Sequence, residues 1–593
     1  MRSSSGLATG FDTWADNFAA DWVRSNPLAA TATQYFSGDE QDALDRKLSL
    51  NSAFGSPYGK RATDERAALA RRGLSELARF DARSLSPEER TSAAIITWRL
   101  QDAIANAPFA EHRFVFTQMV GLHVLLIQFL TALHPIRNER DAENYLVRLR
   151  ALAECLDEGV REAQSASTHG FLPPRFILER TIDQIDKLLQ NDASDHTLVT
   201  SLRDRLQGLT LASARSSALC AFATREVEQN VVPALMRVRI MLVEQLAKAD
   251  DSAGAWSLRD GEAYYRRQLA TLAGTALSPR EIHEIGIAEV ARIESEMDAL
   301  LHELGYADGT IAERLVLLNE TLLDTGSREP QDAILAQLQD IVDDAAQRST
   351  SSFRLRPAAP VTVRREPPFS ERTAAAHYTP PAPDGSLPGV YWVPLAEIGP
   401  KVPWLGVGLK STAYHEAIPG HHFQLAIEQE SKALPRFRRL RAFGFDPPFG
   451  EGWALYAEHL AAESGWYDDD LPSRLGYLNM QAFRARRLVV DTGLHEFKWS
   501  RQRAIDYGLT VAEVERYVTW PGQACAYMLG QRSILAMRGR AEQIGGEAFS
   551  LKAFHDLILS GGTMPLEVLD QRVEAWAAAG FAAGSNPSGR ERR

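Results

Sequence analysis

The sequence predicts a mainly α-helical protein with one small β element, on three observations. Apolar residues recur at helical spacing in a polar background, as Leu146, Leu149, Leu152, Leu156 and Val160 do. Helix starts are marked at Ser86-Pro87-Glu88-Glu89, Ser278-Pro279-Arg280-Glu281 and Thr510-Val511-Ala512-Glu513. Each has an N-cap hydroxyl and a Glu three residues later, and the first two add Pro at the first helical position. Finally, 11 of the 29 prolines fall within residues 357–403, a density through which helix cannot persist.

In chain order, helices are expected from about 10 to 345. The apolar Val120–Leu130 segment is too short to span a bilayer, which takes ~20 residues. Inside the proline-rich stretch, Val361–Val363 and Val390–Val393 read as strands, with the turn Pro383-Asp384-Gly385 between them. The Val390–Val393 strand is expected to offer a backbone edge to a peptide. Helix resumes near Ser411 and runs to about Ala583, and the tail 584–593 reads as disordered. The expected division is therefore an N-terminal helical half (1–350), a Pro-rich segment with short strands (351–410), a second helical half (411–583) and the tail.

The chain has 593 residues, 45% hydrophobic and 24% charged, which excludes collagen-like, disordered and disulfide-scaffold classes. A net charge of −12 argues against nucleic-acid binding. Cys155, Cys220 and Cys525 form no C-x-x-C pair, so neither a disulfide framework nor a thiolate metal site is expected. The first residues lack the apolar core of a signal peptide, and no transmembrane segment is seen. The expectation is a cytoplasmic protein without membrane or nucleic-acid partners; its oligomeric state is not set by the sequence.

Six of the 14 histidines lie between His377 and His495, most densely in Tyr414-His415-Glu416-Ala417-Ile418-Pro419-Gly420-His421-His422. This is a stretched form of H-E-x-x-H, in which two His on one helix face bind zinc and the Glu serves as general base. Ligating nitrogens ~2.0–2.1 Å from one ion must lie close together. In an unbroken helix His421 would sit ~9 Å, and His422 ~10.5 Å, along the axis from His415. Pro419 and Gly420 are the residues that would break the helix, Gly420 being free to take φ > 0. Either His421 or His422 could then join His415. Downstream, Glu451 in Phe449-Gly450-Glu451-Gly452-Trp453 is the candidate third ligand, and Glu458, two turns on, a candidate orienter of a ligand His. His283-Glu284 and His302-Glu303 lack such partners and read as solvated helix faces. Arg487, Asp491 and His495 share one helix face, as a cleft-facing polar row or as a buried network.

The segments HEAIPGHHFQ and GEGWALYAE resemble the signatures of a bacterial domain-of-unknown-function family of predicted zinc metallopeptidases. Similar stretches occur at 278–297, 381–393, 487–507 and 520–531. That family is similar to the angiotensin-converting-enzyme and neurolysin-like gluzincins. The resemblance implies an almost wholly helical fold with a deep cleft between two helical halves. It implies Zn²⁺ as cofactor, Glu451 as third ligand, and His421 in preference to His422 after Gly420. It also implies Tyr527, and with it His495, as stabilisers of the developing charge, with Glu416 as general base. The expected activity is hydrolysis of short or unfolded peptides. A zinc amidase or esterase acting on a non-peptide metabolite, and a catalytically inactive peptide-binding protein, are the alternatives.

Overall fold

The computed structural model describes residues 10–48, 59–323, 330–367, 371, 374–382, 387–399, 402 and 405–581. The expected turn at Pro383–Gly385 and the tail 584–593 lie outside them. The fold is mainly α, about 70% helical, with a single three-stranded sheet among the described residues. The marked starts are real caps. Ser86 and Ser278 close reciprocal capping boxes with Glu89 and Glu281. Thr510 caps its helix from one side only, because the Glu513 carboxylate accepts the Tyr517 hydroxyl at 2.6 Å instead.

The chain forms two compact units, neither of them continuous in sequence. One comprises residues 1–267, 440–444 and 493–521; the other comprises 268–439, 445–492 and 522–593. These boundaries differ from a division along the chain. Helices near 280–348 pack with the later helical segments, which is a matter of apolar faces finding each other rather than of sequence order.

In the first unit the core is helix on helix. Leu149, Leu152, Leu178, Val199, Leu202, Leu235 and Val238 are all fully buried. They come mainly from the helices Glu139–Thr168, Arg175–Leu189, Thr197–Leu206 and Val232–Leu246.

In the second unit, strands β1 (Val361–Arg365), β2 (His377–Thr379) and β3 (Gly389–Val393) pair in the order β1-β3-β2. β1 runs parallel to β3, with Val361 opposite Gly389, and β2 runs antiparallel, with Tyr378 opposite Tyr391. β3 is therefore central. Its edges are both paired, so the expectation that 390–393 accepts a peptide is corrected: that position belongs to an outer strand. The outer edge of β1 is partly taken, since Val363 N–H donates to Gln339 Oε1 at 3.0 Å. Among the described residues no helix is long and apolar enough to cross a membrane.

Candidate metal centre

The helix Leu409–Glu416 ends one residue after His415, and the next helix, His421–Glu430, begins on His421. Ala417 (φ −104°, ψ −98°) and Gly420 (φ −76°, ψ −125°) are the non-helical hinges of the break. The Ile418–Pro419 bond is cis. Gly420 does not use positive φ, contrary to expectation. Its requirement is steric: a Cβ there would lie 1.9 Å from His415 O and 2.4 Å from Tyr414 O. The second helix folds back that closely on the first, and this removes the separation a straight helix would impose.

The result is a convergence of three donors. Nε2 of His415 and Nε2 of His421 each lie 3.5 Å from Glu451 Oε2. The two imidazole planes stand at 87° with centroids 5.0 Å apart. One ligand atom from each residue falls within 4.8 Å of the others. An ion with ~2.1 Å bonds in tetrahedral geometry spaces its ligands by about 3.4 Å, so the donor set fits zinc in type and spacing. Glu451 comes from the helix Pro447–Glu463. The glycine after it admits a neighbouring helix. A Cβ on Gly452 would meet Gly530 Cα at 2.6 Å, so Pro447–Glu463 and Ala526–Gly545 cross with their backbones touching.

Glu458 lies behind His415. Its Oε1 accepts from His415 Nδ1 at 2.8 Å, and its Oε2 accepts from Ser411 Oγ at 2.5 Å. An N–H at Nδ1 leaves the Nε2 lone pair directed at the other two donors. Arg484 stands 3.8 Å from Glu458 and offsets its buried charge. Burial alone would lower the His415 pKa, but the Glu451 and Glu458 carboxylates outweigh it and push it up to about 10. Burial raises Glu451, yet His415 and His421 bring it far below the usual carboxylate range. Glu416 is buried beside this cluster, and burial raises its pKa.

The remaining expected site residues are not among the three convergent donors. His422 is not part of the convergence: its Nε2 donates to Ala359 O at 3.1 Å and its Nδ1 accepts from Tyr378 Oη at 2.8 Å. Tyr527 stacks on the Arg487 guanidinium, 4.4 Å from its ring centroid. Asp491 accepts from Gly522 N at 3.1 Å. His495 is counted in the first unit, where Nδ1 accepts from Ala255 N at 2.9 Å and Nε2 donates to Tyr517 O at 3.0 Å. His302 is exposed, but His283 is half-buried and bonds Thr492 Oγ1 at 2.8 Å. Ser411, Arg484 and Tyr378 escaped the sequence reading. Ser411 alone left a signal, standing four residues before His415 on the same face.

No curated protein matches the chain. Two solved structures are similar to it. One is a protein from Colwellia psychrerythraea described as a "putative lipoprotein", 29% identical, with TM-score 0.86, covering 96% of this chain and 99% of that one. The other is a "putative lipoprotein of unknown function" from Shewanella oneidensis, 18% identical, with TM-score 0.70, covering 95% and 99%; it shares the fold. One family model, that of a bacterial protein of unknown function (DUF885), matches residues 41–573, and the chain belongs to that family.

Proposed function

We propose that the protein is a zinc-dependent metallopeptidase that hydrolyses short or unfolded peptides. The observation that carries this reading is the meeting of His415 Nε2, His421 Nε2 and a Glu451 carboxylate oxygen within 4.8 Å, with Glu416 adjoining. His415, His421 and Glu451 would hold the ion. When bound, zinc supplies Lewis acidity that polarises a carbonyl and makes water a better nucleophile at neutral pH. Glu416 takes the proton from the attacking water and returns it to the leaving amine. Its buried position favours that exchange, because a carboxyl raised above its ordinary range accepts a proton more readily. Glu458, braced by Ser411 and Arg484, keeps His415 in the tautomer that ligates. Tyr527 is the proposed donor to the developing oxyanion. Its helix crosses the Glu451 helix at Gly530, three residues further on.

The test is mass spectrometry of a mixed peptide library incubated with the zinc-loaded protein, the chelator-treated protein and a Glu416→Gln variant. New termini only with the zinc-loaded wild type are expected. Cleavage that survives both the chelator and Glu416→Gln would overturn the reading. Turnover confined to non-peptide amides or esters would replace the substrate class.

A further inference from the structure

Trp453 lies two residues after Glu451 on the same helix and is fully buried. Two residues are ~200° around a helix, so the two side chains meet different parts of the 415–421 segment. Glu451 reaches the histidines. Trp453 reaches the break between them: its Nε1–H donates to the carbonyl oxygen of Pro419 at 3.0 Å. The turn that follows does not use that oxygen. His422 N–H bonds back to Ala417 O and Gln424 N–H to Gly420 O, both at 3.2 Å. The indole is thus the partner of a carbonyl in a buried break, where an oxygen left unpaired is costly.

We propose that Trp453 is a positioning residue for the metal centre. Its indole N–H ties the helix that carries Glu451 to the turn that carries His421, so that the ligand atoms are held at a fixed spacing. The inference rests on the metal-site reading above. Without the N–H, the Pro419 carbonyl turns to find another donor, and the backbone of His421, two residues further along the chain through Gly420, moves with it. The carboxylate of Glu451 stays where its helix is packed.

Trp453 also fills space, with its ring centroid 5.5 Å from Tyr456 and 6.2 Å from Phe353, so Trp453→Phe alone would confuse a lost bond with a cavity. The decisive variant replaces Trp453 by β-(3-benzothienyl)alanine, which keeps the bicyclic shape and puts sulfur where the N–H was. Tyr456→Phe is the control: it removes another buried bond of the same helix, from Tyr456 Oη to His555 Nε2 at 2.8 Å. Zinc alone is the probe, titrated against a chromophoric chelator, with Tm of the chelator-stripped protein measured in parallel. The wild type should bind one zinc. The benzothienyl variant should bind it about tenfold more weakly, as loss of an outer supporting contact does. Tyr456→Phe should lower Tm but leave zinc Kd within about twofold. Zinc binding unchanged in the benzothienyl variant, or weakened equally by Tyr456→Phe, overturns the positioning role while leaving the metal site standing. A wild type that binds no zinc overturns the metal site itself.

Discussion

Buried histidines occur in both units, and they fall into two opposite kinds, of which His422 in the second unit belongs with those of the first. In the first unit His123 bonds the Gln184 side chain, while His134 and His495 each bond a backbone carbonyl, of Asp141 and Tyr517. Burial pushes their pKa values down, to about 4 for His123, about 3 for His134 and about 4 for His495. In the second unit His415 is as deeply buried, yet two carboxylates push it up to about 10. Burial therefore does not mark a functional histidine. What separates the two sets is the partner: a neutral acceptor fixes a packing residue, whereas acids converging from another helix build a site for positive charge.

The most severe way to break this contrast is to remove one histidine from each set. His415→Ala should abolish stoichiometric zinc and all turnover, because two ligands cannot close a tripod. His495→Ala should keep zinc and lower Tm, since Ala255 N and Tyr517 O lose their partner. Metal analysis beside thermal melting reads both. Full zinc in His415→Ala, or zinc lost in His495→Ala, would erase the distinction. Glu416→Gln comes next. It should keep zinc and fold, and turnover should drop by about 10²–10⁴, the range for a general base. Zinc lost together with activity would make Glu416 a ligand instead.

Part of this was legible in the residues and part was not. His415, Glu416 and Glu451 follow from chemistry and spacing, and Glu458 from its two-turn offset on the same helix. Spacing alone leaves His421 and His422 open, and only the family resemblance favours His421. The choice depends on how far the chain rotates through Ala417–Gly420, and on Tyr378 holding His422 aside. Tyr378 sits on β2, whose three residues His377-Tyr378-Thr379 carry no alternation long enough to predict a strand. The missing β2 also explains the misplaced edge: without it, β3 looks like an outer strand. The helices are legible because their apolar periods are long.

Smaller effects sharpen the contrast inside the second unit. Tyr527→Phe should lower kcat by about 10²–10³ with little change in KM, the signature of a contact made in the transition state. A change confined to KM would assign Tyr527 to substrate binding, and no change would leave it as the packing partner of Arg487. Gly420→Ala should weaken zinc binding without touching a ligand, because its methyl would meet His415 O at 1.9 Å. The two histidines would be forced apart. Zinc Kd equal to wild type would mean that the break tolerates the methyl by shifting elsewhere.

The gentlest test uses pH alone on the chelator-stripped protein. For His123, His134 and His495 the folded pKa lies below the ordinary 6.5, so both states are neutral above that pH and the stability is complete there. As pH falls, the unfolded chain takes protons first, and stability is lost from 6.5 down towards about 4. Between pH 7 and pH 5 each such group contributes at most about 2 kcal/mol. His415 runs the other way. Its folded pKa is raised to about 10, so its contribution is complete below 6.5 and lost as pH climbs towards 10. The stripped protein should accordingly be most stable near pH 6.5 in denaturant titrations, with two limbs of different origin. His123→Gln should make the acid limb between pH 5 and 7 shallower by one group's share and leave the alkaline limb intact. Zinc should remove the alkaline limb, because it displaces the proton from His415. An acid limb unchanged by His123→Gln, or an alkaline limb unchanged by zinc, would show that the two sets of histidines do not titrate as their partners dictate.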